Sequence, residues 1–222
     1  MATSTVEDYL KCILALEHGR QPGVLVSMGD IAASMAVAPG TVTSMVKSLE
    51  KDGHVVYAPY AGVRLTGDGR RLAVHVLRRH RLIELFLVDV LDLDWSEVHE
   101  EAERLEHAMS DKLIDCIDAR LGFPTTDPHG DPIPDAEGRL RTAPALNLAD
   151  CAPGETFRII RVSDQQEEFL RFVERNGLKP GSQVAVIHRD PLADALTVRG
   201  GGAGETTLGR AAAAKLWVQQ AS

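Results

Sequence analysis

Residues 27–69, SMGDIAASMAVAPGTVTSMVKSLEKDGHVVYAPYAGVRLTGDG, decide how the rest of the chain is read. Ser27 suits an N-cap, and Ile31, Ala32 and Met35 follow at helical spacing. After the break Ala38-Pro39-Gly40, a second helix is expected from Thr41, with Val42, Met45, Val46 and Leu49 inward and Gly53 ending it. Thr41, Thr43, Ser44 and Lys47 are left facing outward. Residues 54–69 then read as strand, tight turn and strand: Val55, Val56 and Val63 are β-branched, with Pro59 and Gly62 between them. Two short helices, a turn and a hairpin, in that order, are the parts of a winged helix-turn-helix. A helical domain with an incidental hairpin ranks below it, because every part comes in sequence. The small polar face of the second helix suits base edges and thymine methyls, and Lys47, Lys51 and Arg64 suit phosphates. Ser27, Ala38, Pro39 and Gly40 complete the candidate DNA-contacting set.

Outward from this core, residues 3–18 form an amphipathic helix with Val6, Tyr9, Leu10, Ile13 and Leu16 inward and Asp8 and Lys11 toward its start. Residues 68–91 are a long helix, basic at Arg70, Arg71, Arg78, Arg79 and Arg81, that carries His80 and Glu84 one turn apart. Residues 95–111, WSEVHEEAERLEHAMSD, contain no Gly or Pro and predict one helix capped by Ser96, with Val98, Ala102, Leu105 and Met109 inward. At ~100° per residue, His99, Glu103, Glu106 and His107 share an arc roughly 100° wide beside that stripe. Carboxylates so spaced repel unless a cation lies between them. A solvated acidic face with two incidental histidines is the ordinary meaning of such a run. The His80/Glu84 pair and Asp8 shift the balance, because three separate segments then offer hard ligands to a divalent metal.

Residues 111–123 add a further helix, and the helical pair or trio is too thin to cover its own apolar surface, which implies pairing with a second copy. Residues 124–154, rich in Pro, Gly and Asp, read as a linker in which His129 is structural or exposed. From Glu155 the pattern changes to short strands (157–163, 179–190, 195–200 and 214–219) around a helix at 164–178, a small β-barrel. The expected fold is mainly α with a small β part. Its expected divisions are a DNA-binding domain at 1–71, a helical domain at 72–123, the linker, and a β-domain at 155–222.

The net charge of −8 argues at first against a nucleic-acid partner. Yet residues 1–71 hold seven Lys/Arg against seven Asp/Glu, whereas 72–122 hold six against twelve. The acidity sits where metal would sit, and the neutral N-terminal part can bind DNA through a few placed cations. Three widely spaced cysteines without a C-x-x-C argue against a disulfide scaffold or zinc ribbon and for a reducing cytoplasm. No apolar run approaches the ~20 residues of a membrane span, so no membrane association is expected.

The order winged helix, RRHRLIELFL, VHEEAERLEHAMSD, then DPHGDPIP and a small barrel resembles the diphtheria toxin repressor family of metal-dependent transcriptional regulators. The resemblance implies a metal-responsive repressor that binds operator DNA as a dimer, with an SH3-like third domain. It implies a primary metal site at Asp8, Glu103, Glu106 and His107, and an ancillary site at His80, Glu84 and His99. The third domain would complete the ancillary site from VSDQQEEF, where Asp164, Gln165, Glu167 and Glu168 are the candidates. Iron-type members place Met and Cys where this chain has Asp8 and Glu103. Carboxylates harden the site and favour Mn(II), with Fe(II) or another divalent ion as the alternative. Manganese-type members carry Glu where this chain has Lys11, so the resemblance implies hard ligands in the two-site layout of the iron-type members. A metalloenzyme is the competing class, but no nucleophile pairing or substrate-positioning motif accompanies the ligands. A winged-helix regulator of some other signal is the third reading.

Overall fold

Thr3 starts the first helix by accepting the amide of Val6 on its hydroxyl, and α1 (Ser4–Glu17) buries Tyr9, Leu10, Cys12, Ile13 and Leu14. The computed structural model describes residues 3–18, 21, 23–140, 144–201 and 204–221. They fall into two compact units, Met1–Arg79 with Pro134–Arg139 and His80–Ile133 with Leu140–Ser222.

In the first unit, Ser27 caps α2 (Met28–Ser34) through the amide of Asp30 at 3.0 Å. Helix α3 (Pro39–Lys51) begins two residues before the expected Thr41. Pro39 lacks an amide hydrogen, and the first helical turn leaves that donor unpaired anyway, so Ala38-Pro39-Gly40 opens the helix instead of breaking the chain. The hairpin follows as β1 (Val55–Ala58) and β2 (Gly62–Leu65), antiparallel in the register Val56↔Arg64 and Tyr57↔Val63. Leu10, Ile13, Ile31, Val42, Val46, Leu49 and Val63 make one fully buried cluster. Each large aliphatic side chain there contributes roughly 1.5–3 kcal/mol. The winged helix-turn-helix is formed.

Helix α4 (Gly67–Asp89) is long and carries the boundary between the units, at Arg79/His80. In the second unit the stretch 95–111 is not the single helix that its composition predicts. Helix α5 (Val98–Leu105) is short, residues 106–109 are turns, and Ser110 caps a new helix, α6 (Asp111–Arg120). Ser96 does not cap α5; its amide and hydroxyl both donate to Asp94 Oδ1, at 2.8 and 2.6 Å. Val98 and Ala102 are fully buried with Leu82, Ile83 and Ile114 close by, whereas Leu105 is partly buried and Met109, also partly buried, lies beyond the end of α5.

The β-rich region is one six-stranded antiparallel sheet of SH3-like type. In chain order it comprises β3 (Leu146–Asn147), β4 (Thr156–Val162), β5 (Gln183–Asp190), β6 (Ala195–Gly200), β7 (Glu205–Gly209) and β8 (Leu216–Gln220). Neighbours run β3-β8-β4-β5-β6-β7, with α7 (Glu167–Arg175) between β4 and β5 and α8 (Arg210–Ala213) after β7. The end strands β3 and β7 escape the sequence reading, β3 because it is two residues long inside the Pro/Gly segment, β7 because it follows a glycine run. Trp95 is buried in the same cluster as Phe157, Ile159 and Leu170, so the helical segment and the sheet share a core.

Candidate metal centre

Three ligand atoms come together where α4 faces α5. His80 Nε2 lies 3.0 Å from Glu84 Oε1 and 3.2 Å from His99 Nδ1, and His99 Nδ1 lies 3.2 Å from Glu84 Oε1. Neighbouring ligands of an octahedral ion with bonds of about 2.1 Å are about 3 Å apart, so this triangle has the dimensions of one coordination face. The spacing i, i+4 on α4 stacks His80 over Glu84, and the inward stripe of α5 turns His99 toward them. One donor atom from each of His80, His99 and Glu103 also lie within 4.8 Å of one another.

Glu84 is fully buried, and burial alone would raise its pKa. The His80 ring, and then the His99 ring, overcome that and hold its carboxyl well below the usual carboxylate range. Its second oxygen belongs to another cluster. Glu84, Asp127 and His129, all buried, offer atoms within 4.8 Å of one another. Glu84 Oε2, Asp127 Oδ2 and His129 Nδ1 make no hydrogen bond. His129 Nδ1 faces Glu84 Oε2 at 3.8 Å, and Arg81 Nε is 3.6 Å from Asp127 Oδ2. His129 Nε2 is 2.9 Å from the carbonyl of Trp95, which assigns its hydrogen to Nε2 and leaves the Nδ1 lone pair toward the carboxylates. Burial pushes Asp127 upward, helped by Glu84 and Asp131, and pushes His129 downward. Buried lone pairs converging without donors fit a divalent cation.

His129 is therefore neither exposed nor part of a loose linker. Its carbonyl accepts the amide of Val162, and Gly130, at φ +85°, lies against β4 so closely that a Cβ would sit 1.9 Å from the Ile160 carbonyl oxygen. The sequence reading left Asp127 unremarked and took His129 as structural or exposed. The signal available was a Gly fixed beside a His within DPHGDPIP.

Glu106 and His107 lie in the turns after α5. Glu106 is fully buried, with Oε2 at 2.6 Å from His80 Nδ1 and Oε1 at 3.3 Å from His107 Nε2. Glu103, half-exposed, has Oε1 3.7 Å from His80 Nδ1 and 3.8 Å from His99 Nε2. Asp8 is on α1, partly buried, in the other unit.

The four candidates from the third domain have different company. Asp164 pairs with Lys215, which outweighs its burial and lowers its pKa; Glu167 pairs with Arg171; Glu168 is exposed. Gln165 Nε2 reaches Asp131 Oδ2 at 3.4 Å. These contacts lead away from His80, Glu84 and His99; the buried carboxylate and imidazole gathered at the second oxygen of Glu84 come from residues 127 and 129.

On the winged helix, Ala38, Pro39, Gly40, Thr41, Ser44, Lys47, Lys51 and Arg64 are exposed and Thr43 is half-buried. Thr43 and Ser44 donate their hydroxyls back to the carbonyls of Pro39 and Gly40, at 3.0 and 3.1 Å, leaving oxygen lone pairs outward.

Residues 1–63 match the iron dependent repressor N-terminal DNA binding domain, 66–135 the iron dependent repressor metal binding and dimerisation domain, and 146–220 the FeoA domain. The diphtheria toxin repressor of Corynebacterium diphtheriae is 32% identical over 84% of this chain and 85% of its own length. The iron-dependent repressor IdeR of Mycobacterium leprae is 42% identical over 83% of this chain and 70% of its own. A solved manganese-dependent transcriptional repressor in complex with manganese superposes with a TM-score of 0.88 at 40% identity, covering 97% of this chain and 100% of that one. With a winged helix-turn-helix, clustered buried ligands and these relatives in agreement, the chain belongs to the diphtheria toxin repressor family of metal-dependent transcriptional repressors.

Proposed function

We propose that this repressor is activated by Mn(II), binds a roughly palindromic operator as a cytoplasmic homodimer, and controls metal-homeostasis genes. The observation that carries the metal is the donor set. The groups gathered around Glu84 and Glu106 are carboxylates and imidazoles without thiolate or thioether, which suits a hard ion. The solved relative complexed with manganese supports the same choice. The ligand set that the resemblance implies is Asp8, Glu103, Glu106 and His107 at the primary position and His80, Glu84 and His99 at the ancillary one. Asp127 and His129 are the supplementary donors that we assign to Glu84 Oε2.

When bound, Mn(II) would supply the positive charge that offsets the buried carboxylates gathered here. The residues would hold it: Glu84, whose carboxyl is kept well below the usual carboxylate range, and the buried Glu106 would supply oxygens, and His80, His99 and His107 ring nitrogens. DNA is engaged by Thr41, Thr43 and Ser44 at base edges and by Lys47, Lys51 and Arg64 at phosphates, without turnover of a substrate. By linkage, DNA tightens the ion by the same factor that the ion tightens DNA. The test is operator binding titrated separately with Mn(II), Fe(II) and Zn(II), on the native chain and on Asp8→Ala. Mn(II) should stimulate binding strongly in the native chain and little in the variant. Full stimulation of Asp8→Ala would remove it from the ligand set, and stimulation by Fe(II) alone would overturn the manganese assignment.

A further inference from the structure

The ring of His80 lies between two carboxylates assigned to different ion positions. Nδ1 is 2.6 Å from Glu106 Oε2 and Nε2 is 3.0 Å from Glu84 Oε1. Both carboxylates are fully buried and the ring nearly so. The other oxygen of Glu106 is directed to His107, 3.3 Å from Nε2. One small rigid ring therefore touches both sites at once.

A neutral imidazole has one lone pair and one N–H, on opposite nitrogens. With Nε2 turned to a cation shared with Glu84 and His99, the hydrogen must sit on Nδ1, whose acceptor is Glu106 Oε2. That hydrogen bond fixes the carboxylate plane and leaves Oε1 beside His107 Nε2. Outer hydrogen bonds of this kind typically matter 10–100-fold in metal affinity.

We propose that His80 is a positioning residue as well as a ligand: filling the His80/Glu84/His99 position locks its Nδ1–H onto Glu106 and so raises affinity at the Glu106/His107 position. Reciprocity requires the reverse effect to be equal. The inference rests on the ligand assignment above, and the experiment separates the two.

The experiment is equilibrium dialysis of the full-length protein against Mn(II), with free ion read by electron paramagnetic resonance, for the native chain, His99→Ala, His80→Ala, His80→Asn and Glu106→Gln. Asn at position 80 can present an amide N–H near the place of Nδ1 but has nothing at Nε2. His99→Ala and His80→Ala should each retain one ion per chain, bound about tenfold or more weakly than the corresponding ion of the native protein. His80→Asn should also hold one ion, with most of that loss recovered. Equal affinity in His80→Asn and His80→Ala, or native affinity for the remaining ion in His99→Ala, overturns the coupling. Unchanged stoichiometry and affinity in Glu106→Gln would instead overturn the ligand assignment beneath it. Circular dichroism of the metal-free proteins checks folding, and His99→Ala, with a half-exposed side chain, keeps the test open if a His80 variant fails to fold.

Discussion

Asp94 shows how one carboxylate sets the geometry before the ligand helix. Its Oδ1 accepts both the amide and the hydroxyl of the buried Ser96, and those two bonds hold its pKa below the usual carboxylate range. The depressed value means that the stabilisation is complete above the unfolded pKa of about 3.9 and is lost as pH falls through the lower folded value. Asp94→Ala should cost about 1 kcal/mol at pH 7 in urea unfolding, and its difference from the native chain should shrink as pH falls below the unfolded pKa and on through the lower folded one. A difference independent of pH would mean that packing, not the ionised carboxylate, does the holding. At this scale the side chains on regular helices were legible: a period of 3.6 puts His80 and Glu84 on one face of α4 and His99 and Glu103 on one face of α5. Asp127 and His129 were not, because a turn-rich segment has no period, and their burial depends on a strand 30 residues further on.

At the scale of elements, the winged helix was legible because each piece carries its own punctuation: Ser27 as a cap, Gly53 at φ +79° after α3, and a β-branched hairpin. The break between α5 and α6 was hidden, because 106–109 contain no Gly or Pro to mark it. Two local competitors end α5. Glu106 is drawn inward to His80, and the Ser110 hydroxyl accepts the amide of Leu113 at 3.3 Å, starting α6 afresh. Ser110→Ala should therefore destabilise the protein by about 1 kcal/mol, and Ser110→Asp should restore most of it, as measured by denaturant midpoint. If alanine is neutral there, the cap is not what separates the helices.

The whole molecule joins a reading head to a sensing unit, and the free energy available for sensing is that of ion binding. An ion held only by the folded state adds RT ln(1 + [L]/Kd), about 2.7 kcal/mol at a hundred times Kd. Mn(II) should raise the melting temperature of the native chain, and Glu106→Ala or His107→Ala should remove most of that rise. An undiminished rise in both variants would put the ion elsewhere. The helical segment and the sheet form one compact unit, tied by His129 to Val162, by Arg161 to Asp131 at 3.5 Å and by Lys179 over Trp95 at 4.6 Å. The sequence reading took 124–154 as a linker because a Pro/Gly-rich stretch resembles a hinge; of that stretch, Leu148, Ala149 and Cys151 are buried in the core that also holds Trp95 and the sheet.

That packing gives the protein an optical probe of its own. Trp95, one of two tryptophans, is buried with its ring 5.5 Å from that of His129, and its carbonyl is the acceptor for His129 Nε2. Trp217 lies instead under Arg161, at 4.7 Å. A paramagnetic ion seated at His129 Nδ1 would quench the emission of Trp95 at short range, whereas diamagnetic Zn(II) at the same place would leave it bright. In Trp217→Phe, the ratio of the Mn(II) to the Zn(II) signal then reports occupancy of that position without a dye. Equal emission with both ions would show that Mn(II) is not bound beside Trp95.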